Sequence, residues 1–422
     1  MAFGGGGWFL CGSTGDVRFR GSPQATADVE RREDMSMKFR VERDEFTEAV
    51  AWTARTLPSR ATTQLQVLAG LLLDATGPAL KVAAFDYEVA AQGEVDATVT
   101  EEGRGLVNGK MLADITRSLP AAPVDVSVDG TRLVVACGNA RFALPMLPVD
   151  DYPTLPPMPE ITGHIEGAAF GSAVAQVAVA AGRDDTLPVL TGVRVEIEGD
   201  TLTLAATDRY RLAVRTLKWR PASPDASGVA LVPARTLLDT AKSLSGAGVE
   251  VAIALGTGPS GETLAGFAGN TRQTTTRLLE GTFPPYRKLL PDSSPLIAQL
   301  EISPLTEAVK RVALVAPRTA PVQLTFTPDH LVLEAGTGGE AQASETLPVT
   351  YDGPELTVAF NPAYLLDALG ALESDIVRIG FASDEDAALA ANKPAILTGK
   401  GGDDQTEIPD YRYLLMPIRL NG

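Results

Sequence analysis

The sequence predicts an α+β protein of three similar domains, in each of which helices lie on one face of antiparallel sheets. One segment recurs at intervals of roughly 125 residues, longer than the 20–50 residues of solenoid repeats, which fits copies of a whole domain. Each copy has a short extended lead-in, followed by an amphipathic helix with mostly Leu on one face and an Asp at the same register. The copies are Val107–Leu119 with Asp114, Val232–Leu244 with Asp239, and Phe360–Leu372 with Asp367.

The remainder of each copy follows one order of elements. A helical stretch opens every unit, over residues 45–60, 167–183 and 303–318. Alternating apolar and polar residues then predict pairs of half-buried strands at 70–74 and 80–86, 192–196 and 202–208, and 322–326 and 331–336. Asp86 and Asp208 follow the second strand of the first two pairs, whereas Thr337 replaces them in the more divergent third copy.

These repeats divide the chain into a first domain over residues 37–157, a second over 158–293 and a third over 294–422. Residues 1–36 lie outside the pattern. We interpret them as a disordered N-terminal extension, with the folded protein beginning at Met37. The apolar run Trp8–Cys11 is shorter than the core of a signal peptide, so we do not expect secretion.

The composition is that of an ordinary globular protein, with 422 residues of which 45% are hydrophobic and 21% charged. No run approaches the roughly 20 apolar residues that a membrane span requires, so we expect no membrane contact. Cys11 and Cys137 are the only cysteines. Disulfides therefore do not hold the predicted fold, and a reducing cytoplasm is the expected compartment.

The net charge of −17, taken alone, argues against nucleic-acid binding because phosphate neutralisation needs Lys and Arg. The predicted helices nevertheless carry a series of cations, namely Arg55, Arg60, Lys110, Arg117, Arg183, Arg235, Lys242, Lys310, Arg311 and Arg318. Two interpretations stay open. Either a basic helical face lies opposite an acidic outer surface, or these charges solvate ordinary helix faces.

The sequence contains no credible catalytic set. His164, in an expected interdomain linker, and His330, in an expected β-turn, are far apart in the repeat register. The cysteines are too few for a structural zinc site, and the glycine-rich stretches lack the spacing of a phosphate loop. Asp86 and Asp208 are expected to cap turns at strand ends. We therefore expect no metal, no cofactor and no enzymatic activity.

Four stretches resemble the bacterial DNA polymerase III beta subunits, the sliding clamps. In order, they are Met37–Arg43, Ala206–Ala213, Gly281–Pro291 and Tyr413–Leu420. The resemblance covers residues 37–420, and four motifs in the right order on a threefold repeat are highly specific. The alanine-rich, acidic composition and the segment Arg55–Arg60 are similar to actinobacterial members.

The resemblance implies a head-to-tail homodimeric ring. Six clamp-type domains would surround a channel, with helices inward and sheets outward, and double-stranded DNA would be held there without regard to sequence. The channel cations implied are Arg55, Arg60, Lys110, Arg117, Arg183, Arg235 and Lys242. Where the family has a glutamine and paired tyrosines near DNA, this chain has Asp184, Pro188 and Val189.

The resemblance also implies the contact that closes the ring. It joins the first domain of one protomer to the third domain of the next. Phe142 and Leu144, on a strand of alternating pattern, are expected to meet Leu314 and Val315.

The second implied site is a hydrophobic groove for short linear peptides. Its wall would consist of Leu190, Thr207, Arg209, Tyr210, Arg211, Leu212, Pro284, Lys288, Leu289, Tyr364, Leu414, Met416, Pro417, Ile418 and Arg419. Aliphatic pockets with a flexible Met and a few polar groups suit such a groove. The family often has Gly-His where this chain has Arg209-Tyr210, and Arg where it has Lys288. Plain core packing is the alternative for Leu190, Leu212 and Leu289.

The resemblance therefore predicts a non-catalytic processivity factor of the DNA polymerase III holoenzyme. Its expected partners are double-stranded DNA, the replicative polymerase subunit, the clamp loader and other proteins with clamp-binding motifs. Its expected location is the cytoplasm, at the nucleoid and replisome. The alternatives are a non-catalytic, repeat-built assembly protein and, third, an enzyme with an interdomain active site.

Overall fold

The computed structural model describes residues 36–58, 66–259, 261–291, 293–317, 320–336, 341–382, 391–399 and 410–419. Nearly all of the expected N-terminal extension, as well as Arg60, Arg318 and Thr337, lies outside these residues. Within them the chain forms six α-helices: α1 Arg43–Thr53, α2 Gly109–Ser118, α3 Gly167–Ala178, α4 Ala234–Leu244, α5 Ile302–Val312 and α6 Pro362–Ala371.

The strands of the described residues fall into three similar sets, and each set follows the order β-α-β-β-β twice, with one extra strand between the copies. The first unit has β1 Lys38–Val41, β2 Gly70–Asp74, β3 Leu80–Phe85, β4 Val89–Val95, β5 Ala97–Glu101, β6 Arg104–Asn108, β7 Val124–Asp129, β8 Arg132–Cys137 and β9 Ala140–Leu147. The second has β10 Ile161–Glu166, β11 Gly192–Glu198, β12 Thr201–Thr207, β13 Arg211–Lys218, β14 Arg220–Pro221, β15 Ser227–Pro233, β16 Glu250–Thr257, β17 Thr263–Gly269 and β18 Arg272–Arg277. The third has β19 Leu296–Glu301, β20 Val322–Phe326, β21 His330–Ala335, β22 Ala343–Pro348, β23 Thr350–Tyr351, β24 Leu356–Phe360, β25 Ile376–Phe381, β26 Ala395–Gly399 and β27 Tyr411–Leu415.

These strands join sheets across the unit boundaries. Antiparallel pairing of β18 with β4 joins the second unit to the first in a 14-stranded sheet. Pairing of β13 with β27 joins the second unit to the third in a 9-stranded sheet. A 4-stranded sheet, in the order β22-β21-β20-β24, completes the third unit. The three units are therefore connected by backbone hydrogen bonds as well as by the chain.

The two helices of each unit pack against each other and against the strands. In α2, Leu112, Ala113 and Thr116 are buried at helical spacing, which is how the repeated segment covers its sheet. One apolar core fills the first unit, and a second, continuous core runs through the second and third units. The predicted α+β class, with helices on one face of antiparallel sheets, is confirmed.

All three helices that open the units end before their expected last residue; α3 ends at Ala178, and the other two stop early for one shared reason. Helix α1 passes into a 3-10 turn that ends at Thr56, and Leu57 has an extended ψ of 139° because Pro58 follows it. After α5 a 3-10 turn ends at Val315, and Ala316, which precedes Pro317, is also extended with ψ 130°. A proline disfavours helical backbone in the residue before it, so each helix stops there.

The expected position of His164 in a linker was wrong, whereas His330 ends the turn after β20, where the N–H of Thr327 donates to its carbonyl at 3.0 Å. His164 lies within β10, paired with Ala252 of β16, and His330 is the first residue of β21, opposite Pro348. The pairing of β10 with the distant strand β16 places His164 within a sheet, and the sequence around this histidine did not predict that pairing. The two histidines remain in different units, so the structure does not bring them together.

Candidate functional site at the junction of the second and third units

The turn between β12 and β13 is fixed by its own side chains. Oδ1 of Asp208 accepts hydrogen bonds from the backbone N–H groups of Tyr210 at 3.0 Å and Arg211 at 3.1 Å. The hydroxyl of Thr207 donates to the Arg211 carbonyl at 2.7 Å. Arg209 has a φ of 81°, a left-handed conformation that is uncommon for a residue with a side chain. The turn therefore presents Arg209 and Tyr210 in one fixed orientation.

The corresponding turn of the first unit has the same construction. Oδ1 of Asp86 accepts from the N–H groups of Glu88 at 3.0 Å and Val89 at 2.7 Å. Tyr87 has a φ of 74°, like Arg209 in the second unit. The predicted turn-capping role is thus confirmed for both aspartates.

A buried ion network lies behind the turn of the second unit. The Arg211 side chain is 4% exposed, and its Nε donates to Oδ2 of Asp208 at 2.9 Å. Its Nη1 donates to Oδ2 of Asp367 on α6 at 2.5 Å and to the hydroxyl of Tyr413 on β27 at 3.2 Å. Burial alone would lower the pKa of Arg211, but Tyr413 and the two carboxylates raise it above its usual value. We call these four residues, together with Tyr364, the junction network.

Two aromatic rings, those of Tyr364 and Tyr210, stand in front of Arg211. Arg211 lies 4.3 Å from the centre of the Tyr364 ring. That ring stacks on Tyr210 with centroids 6.3 Å apart and an angle of 27° between the planes. Tyr210 is 55% exposed, which is unusual for an aromatic side chain held so firmly. Burial raises the pKa of Tyr364 above its usual value, which alone already keeps the hydroxyl neutral at physiological pH.

A cavity of about 680 Å³ opens beside these rings. Its predicted lining residues are Leu190, Arg209, Tyr210, Arg211 and Tyr364, and it is also lined by Ala181, Gly182, Arg183, Asp184, Leu187, Asp208, Ala363 and Asp367. Three arginines, two tyrosines and several apolar groups therefore face one space. Arg183, whose role in a DNA channel stays a prediction, also lines this cavity.

An apolar cluster continues from the cavity along the outer face of the nine-stranded sheet. Leu212, Leu414, Phe283 and Tyr286 are buried in it, and Met416 is partly buried against it. Leu212 lies opposite Leu414 in the sheet register. The chain after β27 is held by backbone hydrogen bonds from Met416 N to Tyr210 O at 2.9 Å and from Ile418 N to Ala359 O at 2.8 Å.

The remaining predicted wall residues divide by exposure. Thr207 is buried in the turn, and Pro284 and Pro417 are partly buried in the segments that carry Phe283 and Met416. Lys288, Leu289, Ile418 and Arg419 are exposed, with Leu289 at 49% and Ile418 at 36%. Core packing, the alternative for Leu289, is wrong. For Leu190 and Leu212 it is correct in part, since both are at most 9% exposed and still border the cavity or its apolar extension.

The segment around Tyr286 is anchored by a buried carboxylate that sequence reasoning missed. Glu196 on β11 accepts hydrogen bonds from Arg194 Nε at 2.5 Å, from the Tyr286 hydroxyl at 2.7 Å and from Arg287 Nη2 at 2.5 Å. Burial would raise the pKa of Glu196, but these three donors together hold it below its usual value. Burial raises the pKa of Tyr286 to about 12.

Asp367 and Tyr413 were also missed as site residues. The only signal for Asp367 was its place in the repeated segment, where its counterparts have other roles. Asp114 pairs with Arg117 on its own helix at 3.1 Å, and Asp239 lines a cavity with Arg55 and Arg235. The carboxylate at this repeated position thus has different neighbours in each of the three units.

The helical face carries the other predicted cations. Arg55, Lys110, Arg117, Arg235 and Lys242 are all exposed on or directly after the helices α1, α2 and α4. Among the described residues, Arg117 alone of these five has a carboxylate within ion-pair distance. In the third unit, by contrast, Lys310 pairs with Glu307 at 2.9 Å and Arg311 with Glu345 at 2.5 Å.

The expected interface residues are placed unequally. Leu314 is 83% exposed, and Val315 is partly buried against the core of the third unit. On β9, Phe142 is partly buried, but Leu144 is 2% exposed and belongs to the core of its own unit. In the protomer Leu144 therefore packs within its own unit, and its assignment to an intersubunit contact stays a prediction. Side chains alternate along a strand, and those of Phe142 and Leu144 both point towards the first unit's core.

Two further observations concern other classes of site. No group of three or more His, Cys, Asp or Glu that could hold a metal ion occurs in the part of the chain that the structure describes. No helix among the described residues is long and apolar enough to cross a membrane.

Comparisons with known proteins agree over almost the whole chain. Models of the N-terminal, central and C-terminal domains of the DNA polymerase III beta subunit match residues 37–156, 164–285 and 287–417. The beta sliding clamp of Streptomyces coelicolor is 53% identical over 386 residues, which cover 92% of this chain and 100% of the relative. The beta sliding clamp homolog GriR of Streptomyces muensis is 43% identical over 385 residues, covering 91% and 100%.

Solved structures give the same match. The DnaN sliding clamp of Pseudomonas aeruginosa, bound to griselimycin, superimposes with a TM-score of 0.82 at 29% identity, covering 91% of this chain and 100% of that one. The DNA polymerase sliding clamp of Bacillus subtilis superimposes with a TM-score of 0.81 at 25% identity, with the same coverage.

Proposed function

Because the chain belongs to the DNA polymerase III beta-subunit family, the non-catalytic beta sliding clamps, we propose that it encircles duplex DNA as a homodimer. It tethers the replicative polymerase, the clamp loader and other proteins with clamp-binding motifs through the groove between its second and third units. This membership decides against the repeat-built assembly protein and the enzyme. The place of action is the cytoplasm, at the nucleoid and replisome.

The observation that carries the groove assignment is the aromatic pair at its mouth, of which Tyr210 is exposed and Tyr364 partly buried. Tyr210, at 55% exposure, is stacked on Tyr364 and set on a turn that the junction network holds rigid. Rigid aromatic side chains beside an apolar cluster bind a peptide at low conformational cost, since little side-chain motion is lost. The Met416 and Ile418 backbone contacts hold the tail along one wall.

DNA binding is assigned to the helical face. Exposed cations that have no carboxylate partner in the described part of the chain, such as Arg55, Lys110, Arg235 and Lys242, can exchange bound counterions for phosphates. Such contacts carry no sequence information, which suits a ring that moves along DNA. The net charge of −17 does not exclude this assignment, because a local group of exposed cations can attract phosphates even when the total charge of the chain is negative.

The ring interface is assigned to the ends of the protomer. Strand β22 is an edge of its sheet, and β9 pairs with β6 only at Met146 and Leu147, which leaves the backbone near Phe142 without a second partner among the described strands. Leu314, at 83% exposure, supplies the apolar contact. Edge strands of this kind are templates for pairing with another chain.

The groove is tested by shortening the tail. A variant ending at Leu415 loses the two tail hydrogen bonds but keeps β27, whose Leu415 is fully buried. Fluorescence anisotropy with a Gln- and Leu-containing clamp-binding peptide should show at least about a 30-fold loss of affinity, as expected when apolar anchor contacts are removed. A variant lacking only residues 421–422 serves as the control. Full affinity in the shortened protein would refute the groove assignment.

The interface is tested by Leu314→Lys. Because the side chain is 83% exposed in the protomer, the variant should fold normally but sediment as a monomer at concentrations where the unchanged protein is a dimer. A desolvated lysine at an apolar contact costs about 2 kcal/mol or more. Val229→Lys, at a side chain 59% exposed elsewhere, is the matched control. A dimer that persists in Leu314→Lys would move the interface to another surface.

A further inference from the structure

A second cavity, of about 740 Å³, lies on the outer face of the nine-stranded sheet beside the apolar cluster. Val214, Tyr286, Leu290 and Ile396 line it and also belong to, or pack against, that cluster. The cavity therefore adjoins the floor of the proposed peptide groove, by which we mean the apolar cluster around Leu212 and Leu414. Its remaining lining is strongly polar and includes three arginines, Arg287, Arg378 and Arg412.

The sheet register explains how an apolar and a basic surface come to be adjacent. Across β19, β25, β26, β27 and β13, one row of opposed residues is Ile297, Gly380, Ile396, Leu414 and Leu212. Two residues further along the strands, on the same face, the row is Gln299, Arg378, Thr398, Arg412 and Val214. The groove floor and the basic row are thus separated by only two residues, or about 7 Å.

Charge is not balanced within this cavity. Arg287 is satisfied by Glu196 at 2.5 Å and Glu198 at 3.3 Å. Arg378 and Arg412 have no carboxylate within ion-pair distance among the residues that the structure describes. Both are partly buried. Burial lowers the pKa of Arg412 from its usual value, although a guanidinium stays charged at neutral pH.

Two partly desolvated guanidinium groups without a counter-charge favour an anion. The hydroxyl groups of Thr398 and Ser294, which line the same cavity, can donate further hydrogen bonds. The helices and the cations assigned to DNA belong to the other face of the sheet, where Tyr413 and Leu415 point into the core. We therefore expect the anion in this cavity to come from the peptide that occupies the groove rather than from DNA.

We propose that Arg378 and Arg412 form a carboxylate subsite, which holds an Asp or Glu of the same linear peptide whose apolar side chains occupy the groove. This inference rests on the proposed function. An extended peptide advances about 3.3 Å per residue, so an acidic residue two or three positions outside the apolar anchors spans the separation of the two rows. Partners with acidic flanks would then be preferred over partners with neutral ones.

The test compares peptides that share one clamp-binding core. The first carries Glu residues two and three positions before the apolar anchors, the second carries them after, and the third has Gln at all of these positions. Affinities are measured by fluorescence anisotropy on the full chain, on Arg378→Gln/Arg412→Gln, and on Arg40→Gln, which removes an exposed arginine of the first unit.

The unchanged protein and Arg40→Gln should bind one of the Glu peptides about tenfold more tightly than the Gln peptide, as expected for a charge-assisted pair in a partly buried site. In the double variant this advantage should disappear, while the affinity of the Gln peptide stays the same.

If the Gln peptide binds but neither Glu peptide binds more tightly than it does, the subsite is refuted and the groove stands. If the Gln peptide fails to bind the unchanged protein, the proposed function itself fails. Weaker DNA retention in the double variant, with unchanged peptide affinities, would assign the two arginines to nucleic acid and overturn the proposal.

Discussion

The junction network and the helical face use the same side-chain type in opposite ways. Arg211 is 4% exposed and bonded to Asp208, Asp367 and Tyr413. Arg235, in the first turn of helix α4 of the same unit, is exposed and has no carboxylate partner among the described residues. The partners of Arg211 hold its side chain in one geometry, whereas Arg235 can exchange one partner for another.

This difference matches what each surface is proposed to do. Recognition of a peptide requires side chains that are ordered before the partner arrives, because ordering them afterwards reduces the affinity. Movement along DNA requires contacts that form and break without a preferred position. The stability of the fold should therefore depend on charge at the junction network and be indifferent to charge on the helical face.

Arg211→Met should have the largest effect on stability. It leaves Asp208 and Asp367 without their shared cation, in a region where Asp208 is 12% exposed. Breaking a buried ion pair by removing one partner costs about 3 kcal/mol or more. Urea denaturation should show this loss, and hydrogen exchange should locate it in β13, β27 and α6.

The matched control is Arg220→Met. Arg220 also pairs with a carboxylate, Glu250 at 2.5 Å, but its side chain is 69% exposed. An exposed pair contributes little because solvent screens it. Equal losses in the two variants would mean that burial of Arg211 is not what makes its network important.

Glu196→Gln should have an intermediate effect. The change removes the charge that Arg194, Tyr286 and Arg287 share, and charged hydrogen bonds contribute about 1.5–3 kcal/mol each before compensation by the amide. We expect a loss of about 1–2 kcal/mol at neutral pH. Peptide affinity should fall as well, because Tyr286 belongs to the apolar cluster beside the groove.

The direction of the pKa shift of Glu196 predicts how the stability difference between the unchanged protein and Glu196→Gln varies with pH. The pKa of Glu196 is lower in the folded protein than its usual value, so its contribution is present above the unfolded pKa, about 4.3, and is lost as the pH falls through the folded value. The difference in unfolding free energy between the unchanged protein and Glu196→Gln should therefore shrink below about pH 4. A difference that is constant from pH 7 to pH 3.5 would contradict the depressed pKa.

The sequence predicted the parts of this comparison that depend on local pattern. Helix periodicity located α2, α4 and α6, and a strand-end Asp predicted the cap at Asp208. It did not predict that Arg211 meets Asp367, because 156 residues separate them and the contact depends on β13 pairing with β27. The burial of Leu144 in the core of its own unit was missed for a related reason, since an alternating pattern does not indicate which face of the strand the core will cover.

The smallest effect on stability should come from replacing Arg55, Lys110, Arg235 and Lys242 together with Gln. These side chains are exposed and, in the described part of the chain, have no ion pair to lose, so the urea midpoint should stay where it is. DNA retention should weaken instead, and its dependence on salt should flatten by about 0.9 in log–log slope for each phosphate contact removed. Lys310→Gln/Arg311→Gln, which removes two cations already paired with Glu307 and Glu345, is the control and should leave the slope nearly unchanged. If the control flattens the slope as much as the fourfold variant does, carboxylate pairing does not distinguish the cations that hold DNA, and the proposed contrast between the two regions fails on the helical side.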